Sequence, residues 1–147
     1  MPTEPERIDP KGLNDYLEIM TKAAFQSGMS WKVVEAKWDG FREAFAGFDP
    51  ELVAGLDEHD VDDLATDTRI IRNRRKIEAT IHNADMILRL SGGTVKGLQG
   101  WLRGFESYTE LEKAIRREFK FMGPSGIYMW LWVVGEDIPG YHDVFGD

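Results

Sequence analysis

The sequence predicts an all-α fold, and three observations lead to this prediction. Apolar residues recur at intervals of three and four along most of the 147-residue chain, as they do on the buried face of a helix. Helix-start signals built on Asp, Ser or Asp-Pro precede these segments. The sequence contains no β-hairpin signal, internal repeat or low-complexity linker. A chain of this length can bury a core, so we expect residues 1–147 to form a single domain.

Four helix signals lie in the first half of the chain. Asp9-Pro10 predicts an N-cap followed by proline at the first helical position, and Gly28 ends this helix. Ser30 can cap the next helix, and Asp49-Pro50 opens a short one. A further helix begins at Asp57, with Asp60 at the capping-box position. The apolar positions at helical spacing are Leu13, Leu17, Met20 and Ala24 in the first helix, and Trp31, Val34, Trp38, Phe41 and Phe45 in the second.

Three more helices are predicted in the second half. The first is long, has one apolar stripe and ends near residues 91–93. Ser107 and Glu110 form a predicted capping box before the next. The last helix contains residues 127–134, the most apolar segment, and stops at Gly135. The stripe on the long helix consists of Ile77, Ile81, Ala84, Ile87 and Leu88.

The composition restricts the function classes. The absence of cysteine excludes disulfides and thiolate metal sites, and the three histidines, His59, His82 and His142, are far apart, a pattern more typical of solvent-facing side chains than of a metal site. A net charge of −8 disfavours a nucleic-acid partner overall, although the local distribution of charge decides what a bound strand meets. The sequence shows no membrane span and no apolar signal segment, so we expect a cytoplasmic protein. It does not determine the oligomeric state, for which we expect a monomer.

Four segments in a fixed order carry a family resemblance. They are FQSGMSW at 25–31, FREAFAGFDP at 41–50, DTRIIRNRRKIEATIHNA at 67–84 and FKFMGP at 119–124. The chain resembles the DNA-3-methyladenine glycosylase I family, and the resemblance is strongest over residues 24–136. It implies a helix-hairpin-helix glycosylase fold, with hydrolysis of the N-glycosidic bond of alkylated adenine in base-excision repair. The implied partner is double-stranded DNA that carries an alkylated base.

The resemblance also assigns a base pocket. Trp31 follows a glycine-containing turn, where an aromatic face can stack on a flipped base, although a core position is the alternative. Ser30 and Tyr128 are further pocket candidates. The family recognises its base with a glutamate eight residues before the tryptophan, and that position is Ala23 here. Gln26, three residues later on the same helix face, is the candidate polar substitute, and no catalytic residue is assigned.

The turn at 67–74 is the predicted contact with the DNA backbone, because backbone amides of such a turn and the next helix N-terminus hold a phosphate. A solvated basic helix start, paired with the acidic residues just before it, is the alternative. Arg69 replaces a family glycine and could reshape the turn or add a phosphate contact. The candidate backbone contacts are Arg69, Arg72, Arg74, Arg75 and Lys76.

Several family features are missing from the sequence. The family's N-terminal segment supplies a pocket tyrosine and tryptophan and part of a structural zinc site, and none of these has a counterpart here. His142 lies near the position of a C-terminal zinc ligand, but one histidine does not make a site, so no cofactor is expected. Three hypotheses follow: a DNA glycosylase with an altered pocket, a non-catalytic relative that binds DNA, a base or a protein, and a helical domain with an unrelated interaction.

Overall fold

The computed structural model describes residues 5–146, and within them the fold is all-α, as predicted. No strand occurs in this part of the chain. The helices are α1 (Leu13–Gln26), α2 (Trp31–Ala36), α3 (Trp38–Ala44), a 3₁₀ helix (Ala46–Phe48), α4 (Pro50–Ala54), α5 (Glu58–Leu64), α6 (Arg74–Ser91), α7 (Val95–Leu102), α8 (Tyr108–Glu118), α9 (Pro124–Val133) and α10 (Tyr141–Phe145).

Helix α1 lies in the middle of the fold and packs against α9 on one side and α6 on the other. Helix α6 also packs against α4 and α7. Tyr16 of α1 and Trp130 of α9 are fully buried, their rings meet edge-on at 6.2 Å, and the Trp130 indole N–H donates to the Tyr16 carbonyl at 2.9 Å. This contact fixes α1 against α9, and the opposite ends of the same two helices carry the site described below.

Several predicted helix boundaries are confirmed. Asp57 and Asp60 form a reciprocal capping box at the start of α5, and Asp49 caps α4 with Pro50 in the first turn. Ser107 caps α8 by accepting from the Glu110 amide, without the reciprocal bond that a full capping box requires. Helix α6 ends at Ser91, and Gly92 caps it with a left-handed φ of 65° that suits glycine.

The predicted cap at Asp9 is wrong, because α1 begins at Leu13 with Gly12 at the N-cap. The preceding segment is held extended instead: the Ile8 amide donates to the Val133 carbonyl at 2.7 Å, and the Lys11 amide donates to the Asp15 carboxylate at 2.8 Å. These bonds satisfy backbone groups that a longer α1 would have used within the helix.

The segment from 31 to 45 is two helices rather than one. Helix α2 ends and α3 begins around Lys37, whose φ of −102° and ψ of 2° interrupt the helix. The Lys37 ammonium donates to the Thr68 carbonyl at 3.0 Å, which ties this break to the turn before α6. The break separates Trp31 from the buried stripe of Trp38, Phe41 and Phe45.

Across residues 5–146, the structure contains no helix with both the length and the apolar character required to traverse a bilayer.

Candidate base pocket and DNA-facing surface

A cavity of about 480 Å³ opens between the C-terminal end of α1 and the N-terminal end of α9. Helix α1 contributes Ala23 and Gln26, and Ser27 follows them. The cavity is completed by Phe121 and Gly123 of the preceding loop, by Pro124, Ser125, Gly126, Tyr128 and Met129 of α9, and by Tyr141 of α10. A volume of this size is in the usual range for small-molecule sites.

Aromatic rings form much of the cavity lining. Tyr128 is buried, and its hydroxyl donates to the Pro139 carbonyl at 2.9 Å. Tyr141 meets the Tyr128 ring edge-on at 5.7 Å, so a residue of the short C-terminal helix is held against α9. Phe121 is 41% exposed and lies on the loop that leads into α9. Planar heterocycles stack on such surfaces, and ring faces also attract cations.

The described cavity lining carries no charged side chain. Ala23 is the position of interest, because it is 5% exposed and faces α9 closely enough that a methyl group on Gly126 would lie 3.6 Å from its Cβ. Helices α1 and α9 therefore approach each other at two small residues. The closeness of Gly126 also places Ala23 beside the first turn of α9, where helix amides have a positive partial charge.

The structure separates the predicted pocket residues into two groups. Gln26 and Tyr128 line the cavity, whereas Ser30 and Trp31 do not. Trp31 is 60% exposed at the start of α2, so it is not a core residue. Met29 and Val33 are also exposed, so Trp31 belongs to an exposed apolar segment that follows the cavity residue Ser27 in sequence. Its contact with a base stays a prediction, as do the roles of the other three.

Sequence reasoning missed Phe121 and Tyr141. Phe121 lies inside the FKFMGP segment, so the motif that carried the resemblance could have indicated it. Its φ of 58° is rare for a residue other than glycine, and no sequence pattern predicts this backbone conformation at Phe121. Tyr141 lies on a five-residue helix that has no clear periodic signal, and its position depends on ring contacts with Tyr128 and Phe145.

The turn between α5 and α6 is the second part of the site. Ile70 is buried and fixes the turn to the core, and Asn73 caps α6 by accepting from the Lys76 amide at 3.1 Å. Gly40 of α3 lies directly beneath the turn, because a Cβ there would be 2.2 Å from the Arg69 carbonyl oxygen. Arg69 has an ordinary φ, so its replacement of the family glycine does not strain the backbone.

Four of the five predicted backbone-contacting cations are exposed, namely Arg69, Arg72, Arg74 and Arg75. Acidic neighbours engage two of them. Arg69 donates to both oxygens of Asp67, and this contact lowers the pKa of the Asp67 carboxyl. Arg74 pairs with Asp62 of α5. Asp67 in the turn and Asp62 before it therefore compete with any phosphate for these two arginines.

Lys76 departs from the prediction, because its side chain turns inward. It is 5% exposed, and its ammonium donates to the Phe25 carbonyl at 3.0 Å and the Ser27 carbonyl at 2.6 Å. Burial lowers the pKa of this ammonium. The physical reason is its position on α6, where Lys76 shares a face with the buried Thr80 and Asn83. Lys76 connects the start of α6 to the end of α1, beside the cavity.

Within residues 5–146, no group of three metal-ligating side chains is arranged to hold a metal ion. His59 and His142 are exposed, as the sequence indicated. His82 is half-buried instead, and its Nε2 lies 2.8 Å from the Glu118 carbonyl oxygen.

The pairing of Arg74 with Asp62 yields a first prediction. Asp62→Asn removes the carboxylate that competes with phosphate, so we expect duplex affinity to rise by about two- to fivefold, matching the 0.5–1 kcal/mol of an exposed ion pair. Asp85→Asn is the matched control, since it frees Arg89 at the far end of α6 with the same change in charge. Fluorescence anisotropy with a labelled duplex measures both. Equal effects of the two substitutions would contradict a role for Arg74 in DNA binding.

The fold and this surface define a helix-hairpin-helix protein, in which α5, a cationic turn and α6 lie beside an aromatic cavity. The sequence model of the methyladenine glycosylase family matches residues 9–118. The chain therefore belongs to the methyladenine glycosylase family.

Individual relatives agree with this assignment. DNA-3-methyladenine glycosylase 1 from Escherichia coli is 45% identical over 73 residues, which cover 50% of this chain and 39% of that protein. DNA-3-methyladenine glycosylase from Haemophilus influenzae is 30% identical over 131 residues, covering 75% of this chain and 70% of that protein. 3-Methyladenine DNA glycosylase I from Staphylococcus aureus superposes with a TM-score of 0.72 at 25% identity, covering 90% of this chain and 84% of the other.

Proposed function

We propose that this protein is a DNA N-glycosylase that removes an alkylated adenine from duplex DNA. The observation that carries the proposal is the aromatic cavity, which lies at the FQSGMSW and FKFMGP segments that carry the family resemblance and is joined through the Lys76–Ser27 contact to the helix that follows the cationic turn. The relatives named above are 3-methyladenine DNA glycosylases, and the structure of the Staphylococcus aureus protein concerns 3-methyladenine recognition. A flipped base and its backbone need two adjoining sites of these kinds.

In the proposed reaction, the flipped base enters between the cavity rings and meets the Gln26 side chain. An adenine alkylated at a ring nitrogen such as N3 carries a positive charge in DNA, and ring faces such as those of Tyr128 and Tyr141 attract a cation by roughly 0.5–2 kcal/mol. The glycosidic C–N bond breaks with its electron pair moving onto the base, which leaves as a neutral molecule. Water then adds to C1′ of the sugar and releases a proton. The proposal assigns no step to a metal ion.

The cationic base is itself a good leaving group, and this explains how the cavity could act without a carboxylate. The protein needs to extract the base, orient it and exclude bulk water, whereas activation of the leaving group is supplied by the alkylation. Ala23, in place of the family's glutamate, removes a charged acceptor and weakens recognition of the base. We therefore propose a slower enzyme than one with a glutamate in its cavity.

The aromatic cavity also supports a second candidate, a non-catalytic protein that binds DNA at damaged bases. Its cavity lacks a charged acceptor among the described lining residues, and Lys76 is committed to a structural contact. Base release separates the two candidates. Free base in the supernatant supports the glycosylase, and damage-selective duplex binding without release supports the second candidate.

Trp31 provides the variant that tests the site. Because it is 60% exposed and buries little surface, Trp31→Ala should leave the melting temperature unchanged. Base stacking on an aromatic side chain contributes about 1–3 kcal/mol, so base release should fall by roughly fivefold to a hundredfold. Val33→Ala is the matched control, since Val33 is an exposed apolar residue of the same helix. Release is measured by chromatography of free base from methylated duplex DNA. If Trp31→Ala and Val33→Ala act alike, Trp31 does not contact the DNA.

A further inference from the structure

The loop that carries Phe121 is fixed to α6 by buried polar contacts. The Asn83 side chain is 1% exposed, accepts from the Lys120 amide at 2.8 Å and donates to the Lys120 carbonyl at 3.0 Å. His82 contacts the Glu118 carbonyl at the end of α8, immediately before this loop. A side-chain amide that bonds both groups of one residue fixes its backbone in place. Lys120 and Phe121 are therefore held at defined positions beside the first turns of α6.

Phe121 projects from this loop with a left-handed backbone conformation, φ 58°. Its ring lies 5.9 Å from the Lys76 ammonium, which orients one side of the ring. Backbone strain of this kind costs about 1–3 kcal/mol and persists only where the surroundings impose it. Here the two hydrogen bonds between Asn83 and Lys120 impose the conformation of the loop. The Phe121 ring is left 41% exposed.

Phe121 lines two depressions at once. One is the base cavity, and the other is a groove of about 350 Å³ that Arg75, Glu78, Ala79 and Lys120 complete. Both cations of the groove are exposed, and Glu78 is its only described acidic residue. The groove therefore has an excess of one positive charge on a protein whose net charge is −8. A local excess of this sign on an acidic protein favours an anionic ligand.

We propose that this groove binds the phosphodiester of a nucleotide adjoining the base in the cavity, with Phe121 as the wall between the two subsites. The inference rests on the proposed function. A nucleotide joins its base to its phosphates through one sugar, so a base subsite and a phosphate subsite must be neighbours. Arg75 and Lys120 supply the charge, and the exposed side of the Phe121 ring offers a stacking surface to a neighbouring base.

The proposed phosphate contact differs from a contact at the α5–α6 turn alone, because it includes Lys120. Lys120 lies on the loop before α9, outside the turn, and is exposed beside the groove. The Glu78 carboxylate repels the proposed phosphodiester. Neutralisation of Glu78 should therefore strengthen duplex binding, whereas loss of Lys120 should weaken it. The two substitutions act in opposite directions on one groove, and this pattern is hard to produce by a general change in stability.

The experiment measures duplex affinity against sodium chloride concentration with a labelled duplex that contains a stable abasic-site analogue. Lys120→Gln should weaken binding about threefold to tenfold and reduce the slope of log affinity against log salt by ~0.9, the value of one phosphate contact. Glu78→Gln should strengthen binding. Lys96→Gln is the matched control, because Lys96 is an exposed lysine on α7, which follows the opposite end of α6.

A second variant removes the wall and keeps the backbone. Phe121→Gly suits a φ of 58°, so the protein should fold, and duplex affinity should fall about tenfold because a stacking surface is lost. If the wild type binds with a clear salt slope but Lys120→Gln and Lys96→Gln behave alike, the groove proposal is overturned and the proposed function stands. If the wild type binds no duplex at any salt concentration, both are overturned.

Discussion

Ala23→Glu is expected to raise the rate of 3-methyladenine release from methylated duplex DNA by roughly tenfold to a hundredfold. A hydrogen bond to a charged group contributes about 1.5–3 kcal/mol, and 1.4 kcal/mol corresponds to a factor of ten. Ala23 lines the cavity, so a glutamate side chain at this position would extend into the space proposed for the base. Its carboxylate would accept from the amino edge of the base and face its positive charge.

The site can accommodate the new carboxylate. Ala23 lies near Gly126 in the first turn of α9, where the helix dipole stabilises a negative charge by about 0.3–1 kcal/mol. The cavity is open to solvent and has polar groups on Gln26 and Ser27, so desolvation of the carboxylate is partial. We expect a small loss of thermal stability alongside the gain in rate.

The control for this gain is Ala23→Gln, which adds the same length of side chain without the charge. A second comparison uses a duplex that carries hypoxanthine, which is a neutral base. Ala23→Glu should accelerate release of the cationic base and leave release of hypoxanthine unchanged. Equal rates for Ala23→Glu and Ala23→Gln would show that a charge at this position does not recognise the base.

Lys76→Met is expected to destabilise the protein and to reduce base release with it. The ammonium donates to two carbonyls at the end of α1, and methionine fills similar volume without a donor. An unsatisfied buried acceptor costs about 1–3 kcal/mol, and each kcal/mol lowers the melting temperature of a protein of this size by roughly 2–4 °C. Gln26 and Ser27 line the cavity, so loosening the end of α1 should raise KM more than it lowers kcat.

Arg75→Met is the matched control, since Arg75 precedes Lys76 and is exposed. It should leave the melting temperature within about 1–2 °C of wild type, because surface substitutions change stability by about 0.5 kcal/mol or less, and it should weaken duplex binding. A Lys76→Met protein as stable as wild type would show that the two carbonyl contacts contribute nothing net to folding.

The buried Lys76 ammonium should also make the stability of the protein depend on pH. Burial places its folded-state pKa below the ordinary value of 10.5, so the unfolded chain binds more protons between these two values. Stability then rises with pH across that interval and is lost as pH falls through the folded-state pKa. The wild type should therefore gain stability relative to Lys76→Met as alkaline pH increases, measured by denaturant unfolding at a series of pH values.

Local sequence signals predicted much of the fold. The caps at Asp49, Asp57 and Ser107 depend on contacts within one helical turn, which a sequence can specify by itself. Asp9-Pro10 carried an equally good local signal and was wrong. There the backbone of Ile8 bonds to Val133, a residue distant in sequence, and this tertiary contact replaces the first turn of the helix.

The candidate site was predictable in part. Gln26 and Tyr128 were predicted as pocket residues, and both line the cavity. Their contact with a base stays a prediction. The inward direction of Lys76 was not predicted, although its spacing from Thr80 and Asn83 was visible in the sequence. Polar residues on a buried face require partners, and the partners of Lys76 are carbonyls about fifty residues away, which no local pattern specifies.

The most direct test of glycosylase activity is release of free 3-methyladenine from methylated duplex DNA by the wild-type protein in excess over substrate. We predict release above the spontaneous rate, first-order in time and saturating with protein concentration, with further acceleration by Ala23→Glu. Release at the spontaneous rate at every protein concentration, from wild type and from a folded Ala23→Glu protein alike, would contradict the proposed activity.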